Sequence, residues 1–257
     1  MADTESDLAL AHSLADAADA ITIARFRALD LQVESKPDLT PVSDADRAVE
    51  QELRRLLASS RPGDAVLGEE YGVDGDGPRR WVIDPIDGTK NFVRGVPVWA
   101  TLIALQVDER VTVGVVSAPA LGRRWWAGRG LGAYAGTSTA DASRLSVSAV
   151  SSLGDAALSY SSLAGWPGSA FVDLTQKVWR SRAFGDFWSH VLVAEGAVDI
   201  SCEPEVSLWD LAALQVVVEE AGGRFTDLAG NARPDGGSVV CSNGLLHDEV
   251  LAALSRT

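Results

Sequence analysis

Leu8, Ala11, Ala15, Ala18 and Ile21 recur at the spacing of a helix with one apolar face, and predict an amphipathic helix from Leu8 to about Leu29. Lys36-Pro37-Asp38-Leu39-Thr40-Pro41 breaks that pattern, because proline lacks a backbone donor and disfavours a helical residue before it. Ser43 then reads as the N-cap of a second helix to about Leu57, with Asp46 as a capping-box partner and Val49, Leu53 and Leu56 on its apolar face. Arg61-Pro62-Gly63-Asp64 ends it. Strand patterns follow at 65–68, 80–84, 99–107, 111–117 and 124–127, with Asp108 to Arg110 suited to a hairpin loop. Beyond Leu145 the pattern alternates, with strands at 157–161, 182–185, 198–202, 224–227 and 237–242. Helices are expected between and after them at 169–178, 186–195, 209–221 and 246–254. The order predicts an α+β half over residues 1–144 and an α/β half over 145–257. Asp74 to Pro78 is the one Gly-rich patch and reads as a mobile surface loop; there is no internal repeat.

Composition narrows the partners. The chain has 22 basic and 36 acidic residues in 257, a net charge of −14, which argues against a nucleic-acid or anionic-membrane surface. Solubility is the plain reading of that charge, with a smaller share for carboxylates that a metal would neutralise. Cys202 and Cys241 lack metal-ligand spacing and read as reduced thiols. Met1 to Asp7 is acidic and lacks the order of a signal peptide. No apolar stretch approaches the ~20 residues of a membrane span, so a cytoplasmic protein is expected.

One segment changes the picture. Trp81-Val82-Ile83 runs into Asp84-Pro85-Ile86-Asp87-Gly88-Thr89-Lys90-Asn91-Phe92, an apolar strand ending on two carboxylates and a glycine turn. Carboxylates flanked by apolar residues are costly to bury unpaired, but they are suitable ligands for Mg²⁺, which takes oxygen donors. Gly88 and Thr89 offer backbone N–H groups to an anion. Three further acidic sites are weak alone: the pair Glu69-Glu70 suits a solvated turn, while Asp44 and Asp210 each suit the first turn of a helix. His12, His190 and His247 are scattered and read as structural or exposed.

Taken in order, these segments resemble the inositol monophosphatase-like family of metal-dependent phosphatases. The resemblance rests on 36–44, Gly68-Glu69-Glu70, Asp84 to Phe92, Trp209-Asp210-Leu211-Ala212-Ala213 and Glu220-Ala221-Gly222-Gly223. It implies a five-layer αβαβα sandwich of α/β class, two or three Mg²⁺ ions per site, Li⁺ sensitivity and commonly a homodimer. It makes Glu69, Asp84, the backbone carbonyl of Ile86, Asp87 and Asp210 metal ligands, with Glu70 left to solvent. Thr89 and Glu69 would orient the attacking water, Asp44 would accept the Thr89 hydroxyl proton, and Asp87, Gly88 and Thr89 would hold phosphate.

Within that family the chain looks most like the actinobacterial histidinol-phosphate phosphatases. That likeness runs through 91–99, Gly114 to Ala120, Gly185-Asp186-Phe187 and Ala194 to Asp199. Asp186 stands where inositol-hydrolysing members have small residues, and Glu203 aligns with a substrate-contacting acid, with Glu205 nearby. Gly185 and Arg94 complete the expected substrate contacts, although a cation at Arg94 suits phosphate or a dimer neighbour better than a cationic alcohol. An acidic surround favours the cationic ester L-histidinol phosphate over a neutral polyol. Asp186 reads equally well as a helix N-cap. The alternatives are inositol 1-phosphate or another small monoester, and a regulatory protein-binding role.

Overall fold

Helix α1 spans Ala2–Arg25 and α2 spans Asp44–Ser60 in the computed structural model, which describes residues 2–37 and 39–255. Asp38, part of the lead-in singled out above, lies outside the described residues. Helix α1 stops before Leu29 because Arg27 turns into the left-handed region at φ 61°, a common way to end a helix. Helix α2 is capped as expected: Ser43 N donates to Asp46 Oδ2 at 2.9 Å and Ala45 N to Ser43 Oγ at 3.2 Å.

Eight strands form the first sheet, in spatial order 143–144, 132–136, 123–128, 110–118, 100–107, 79–87, 65–68 and 72–74. Its neighbours are antiparallel except 65–68 beside 79–87, which run parallel. Asp108 and Glu109 both take positive φ, 49° and 64°, as the tight turn between 100–107 and 110–118 demands. Strands 72–74, 132–136 and 143–144 escaped the sequence pattern because they are short or glycine-rich.

The five strands of the second sheet are ordered 180–182, 157–159, 200–203, 239–242 and 224–226. Its edge strand ends at Arg182, so residues 183–185 form the approach to a helix instead of the expected strand. Five more α-helices follow among the described residues: α3 (Thr89–Val93), α4 (Ala170–Lys177), α5 (Asp186–Ala194), α6 (Leu208–Glu220) and α7 (His247–Leu254).

The layers follow from which faces are apolar. Leu14 of α1 and Val49 and Leu53 of α2 pack on Ile83 and Val115 of the first sheet. Helices α5 and α6 lie between the sheets, where Val191, Leu214 and Val217 join Leu102 and Val116 on one side and Cys241 on the other. Phe171 of α4 and Val250 of α7 close the outer face over Ile200 and Val240. Helix α6 is apolar all round because it is covered on all sides. Its backbone comes so close to the sheet that a Cβ on Gly114 would stand 2.5 Å from the Ala213 carbonyl oxygen. The result is an αβαβα sandwich. Both cysteines are buried and free. No helix among the described residues is long and apolar enough to cross a membrane.

Candidate active site

Strand 79–87 loses its register with strand 100–107 between Asp84 and Asp87, where Pro85 has no N–H to give the ladder. In a regular strand, residues three apart face opposite sides. The irregularity at Pro85-Ile86 lets both aspartates turn to one side. Asp84, Asp87 and Asp210 each bring a carboxylate oxygen to within 4.8 Å of the others. Asp210 arrives from the first turn of α6, where its Oδ2 accepts from Ser207 N at 2.7 Å. Asp87 Oδ2 accepts from Phe187 N at 2.6 Å, in the first turn of α5. Two helix N-termini therefore converge on the acids, as suits negative charge.

Glu69 reaches the same place by sheet pairing. Its N–H donates to the Ile83 carbonyl at 3.2 Å, which sets it beside Asp84. Its carboxylate, however, stands outside the aspartate trio, with Oε1 2.7 Å from Lys36 Nζ. Lys36 also holds Glu70 at 2.6 Å, and the Glu70 side chain is only 6% exposed. The expectation that Glu70 faces solvent is thus corrected: one ammonium draws both glutamates inward. Lys36 was part of the lead-in motif, but nothing local in sequence ties a lysine to acids more than thirty residues away.

The partner of Thr89 is also corrected. Thr89 Oγ1 lies 2.8 Å from the Ile86 carbonyl and 3.3 Å from Asp46 Oδ1. Asp44 instead takes Arg25 at 2.7 Å. Residues two apart on a helix project about 200° from one another, so only one of the pair can face Thr89. Asp46 is the one turned inward, 1% exposed against a half-exposed Asp44.

Glu69, Asp87 and Asp210 share one cavity of about 600 Å³ with Gly88, Thr89, Lys90, Gly185, Asp186 and Glu203 among its walls. Glu203 ends strand 200–203 and is buried; its Oε1 accepts from both the N–H and the hydroxyl of Ser161 at 2.7 Å. Asp186 is not the N-cap of α5; that position belongs to Gly185. Asp186 adopts φ 49°, donates its own N–H to Ser161 Oγ at 2.9 Å, and its Oδ2 accepts from Asn91 at 3.3 Å. A non-glycine residue held at positive φ costs of order 1 kcal/mol or more, and here the strained residue faces the cavity. Arg94 is exposed at the end of α3 and does not line the cavity; Lys90 does. His190, one turn after Asp186, is a further buried wall residue, and burial lowers its pKa to about 4, leaving the imidazole neutral.

Burial, and then mutual repulsion with Glu69 and the other acids, holds Asp84 well above the ordinary carboxylate range, and burial followed by Asp186 and Asp210 does the same for Asp87. Burial also pushes Asp210 up to about 6 and Glu203 up to about 7. A set of oxygen donors that all resist ionisation together is suited to a hard divalent cation. It also fixes the sign of a pH effect. Raised folded-state pKa values stabilise the metal-free fold fully only near and below the ordinary values of 3.8 and 4.5, and this is lost as pH rises through about 6 to 7. The melting temperature of chelator-treated protein is expected to fall across that interval, and added Mg²⁺ to restore it at the upper end. A flat profile indifferent to Mg²⁺ in a thermal melt would contradict this account.

The chain belongs to the inositol monophosphatase family, whose description it matches over residues 3–257. It is 59% identical over 264 residues to a histidinol-phosphatase of Streptomyces coelicolor, covering 100% of this chain and 99% of the relative. It is 62% identical over 257 residues to a histidinol-phosphatase of Mycobacterium tuberculosis, covering 98% and 99%. The fold matches the solved IMPase of Thermotoga maritima with a TM-score of 0.88 at 30% identity, over 97% of this chain and 96% of that one. Members of this family are metal-dependent, and the aspartate trio can hold a metal.

Proposed function

We propose that the protein hydrolyses L-histidinol phosphate to L-histidinol and phosphate, with Mg²⁺ as cofactor. The observation that carries this reading is the end-to-end identity of about 60% to two histidinol-phosphatases, supported by an acidic wall at Asp186 and Glu203. Glu69, Asp84, the Ile86 carbonyl, Asp87 and Asp210 would hold two or three Mg²⁺ ions, which would supply positive charge to lower the pKa of water and offset phosphate repulsion.

The protein's own groups do the rest. Thr89, fixed between Ile86 O and Asp46, orients the attacking water together with Glu69, and Asp46 takes the role first assigned to Asp44. The N–H groups of Gly88 and Thr89 hold phosphate oxygens beside Asp87. A side chain on Gly88 would stand 3.1 Å from Val98 O and 3.4 Å from Asp186 Oδ2, so only glycine leaves that approach open. Asp186 and Glu203, with the exposed Glu205 at the rim, face the alcohol and favour a cation. The neutral His190 does not oppose one. The enzyme is read as a homodimer, on the family resemblance.

A phosphate-release assay with Mg²⁺ tests the reading. L-Histidinol phosphate is expected to be turned over with a kcat/KM well above those of inositol 1-phosphate and fructose 1,6-bisphosphate. A preference for inositol 1-phosphate would overturn the substrate while leaving the hydrolytic class intact.

A further inference from the structure

Helix α2 carries two buried acids one turn apart, Asp46 and Glu50, which share a face. Asp46 touches Thr89, and Glu50 touches the turn that bears Glu69. Both Thr89 and Glu69 are expected at the attacking water. Glu50 is fully buried and belongs to no cluster of potential metal ligands among the described residues. Its Oε2 accepts from Glu70 N at 2.7 Å, and its Oε1 accepts from Tyr71 N at 3.2 Å and from Arg54 Nε at 2.8 Å. Arg54 in turn donates to the Gly72 carbonyl at 2.5 Å. Just before this turn, a Cβ on Gly68 would fall 1.9 Å from Glu50 Oε1. The carboxylate therefore grips the chain from Gly68 to Gly72, immediately after Glu69 leaves its pairing with Ile83.

We propose that Glu50 is a positioning residue: its carboxylate locks the 68–72 turn so that Glu69 is presented to the metal. This rests on the reading of Glu69 as a ligand. The chemistry requires a carboxylate and not merely a polar side chain. Two successive backbone N–H groups and a guanidinium point at one side chain, and a carboxylate accepts on both oxygens. A glutamine offers one acceptor and turns an NH₂ against a backbone N–H. The sheet needs no such device, since strand 65–68 is already paired on both edges. What the clamp adds is the direction of Glu69 and Glu70. Residues that orient metal ligands from behind typically contribute 10–100-fold in metal affinity when altered.

The test is calorimetric titration of Mg²⁺ into the full-length protein, with Glu50→Gln, Gly68→Ala, their double variant and Glu69→Gln. Glu50→Gln and Gly68→Ala disturb one contact from its two ends. Each is expected to weaken Mg²⁺ binding about 10–100-fold, and the double variant no more than the worse single one. Amide exchange on the unaltered protein gives a measurement free of folding defects: the Glu70 and Tyr71 amides should exchange as slowly as those inside α2. Wild-type affinity in folded Glu50→Gln with a loss in Glu69→Gln overturns the clamp alone. Unchanged affinity in both removes Glu69 as a ligand and the clamp with it. Fast exchange at Glu70 and Tyr71 also overturns it.

Discussion

Asp84→Asn is expected to lower kcat/KM by at least about 10³-fold, because electrostatic assistance from a bound metal contributes several kcal/mol to the transition state and each 1.36 kcal/mol is tenfold. Asp84 is 1% exposed and sits among Glu69, Asp87 and Asp210, so its loss takes a charge out of the proposed ligand set. The same substitution is expected to raise the melting temperature of the metal-free protein. Burial and the neighbouring acids all oppose the ionised form of Asp84, and an amide removes that opposition while keeping the shape. Its Oδ1 accepts from Ile86 N at 3.0 Å, a bond that the amide oxygen retains. Opposite signs for activity and metal-free stability, together with loss of the Mg²⁺-induced rise in melting temperature, distinguish a ligand from a residue that merely holds the fold. A variant that is both less stable and still responsive to Mg²⁺ would sink the assignment. Stability given up at a functional site is a common trade.

Glu203→Gln is expected to act on selectivity, not on chemistry. Removing one partner of a buried charge pair costs about 2–5 kcal/mol. The kcat/KM for L-histidinol phosphate should therefore fall at least about 30-fold, while that for the neutral inositol 1-phosphate changes by no more than about threefold. The amide oxygen of glutamine can still accept from the N–H and hydroxyl of Ser161, which both reach one oxygen of Glu203 at 2.7 Å. The wall should thus keep its shape and lose only its charge. Steady-state kinetics on the two esters decide the matter. An equal loss on both would mean that Glu203 supports the cavity structurally and does not choose the alcohol.

The elements were legible wherever local pattern and local need agree. Strand 65–68 falls where its apolar run does, and α2 begins at Ser43 because the capping box is encoded within four residues. Helix α6 was equally plain, since thirteen residues so rich in apolar side chains have nowhere to go but between two sheets. The short strands 33–35 and 41–43, which pair only with each other, left no such trace. The chemistry of the site was legible in part for the same reason. Asp84 and Asp87 flank a proline that interrupts a strand, which is a local feature with one good use.

The Thr89 partner shows where such reading ends. Asp44 and Asp46 both open α2, and the spacing alone does not say which faces inward; that depends on Arg25 of α1 claiming Asp44. Arg94 and Lys90 pose the same problem at α3, where only the rotation of a short helix decides which cation meets the cavity. Lys36 between Glu69 and Glu70, and Ser161 between Glu203 and Asp186, join residues distant along the chain. By itself the sequence determined most of the helices and longer strands, a layered arrangement and two acids, Asp84 and Asp87, able to hold a cation, because periodicity, caps and a proline-broken strand act over a few residues. Only the tertiary structure decided which acids converge, which are drawn off by a cation, and what lines the alcohol end of the cavity. Those outcomes depend on distances between segments that no local pattern encodes.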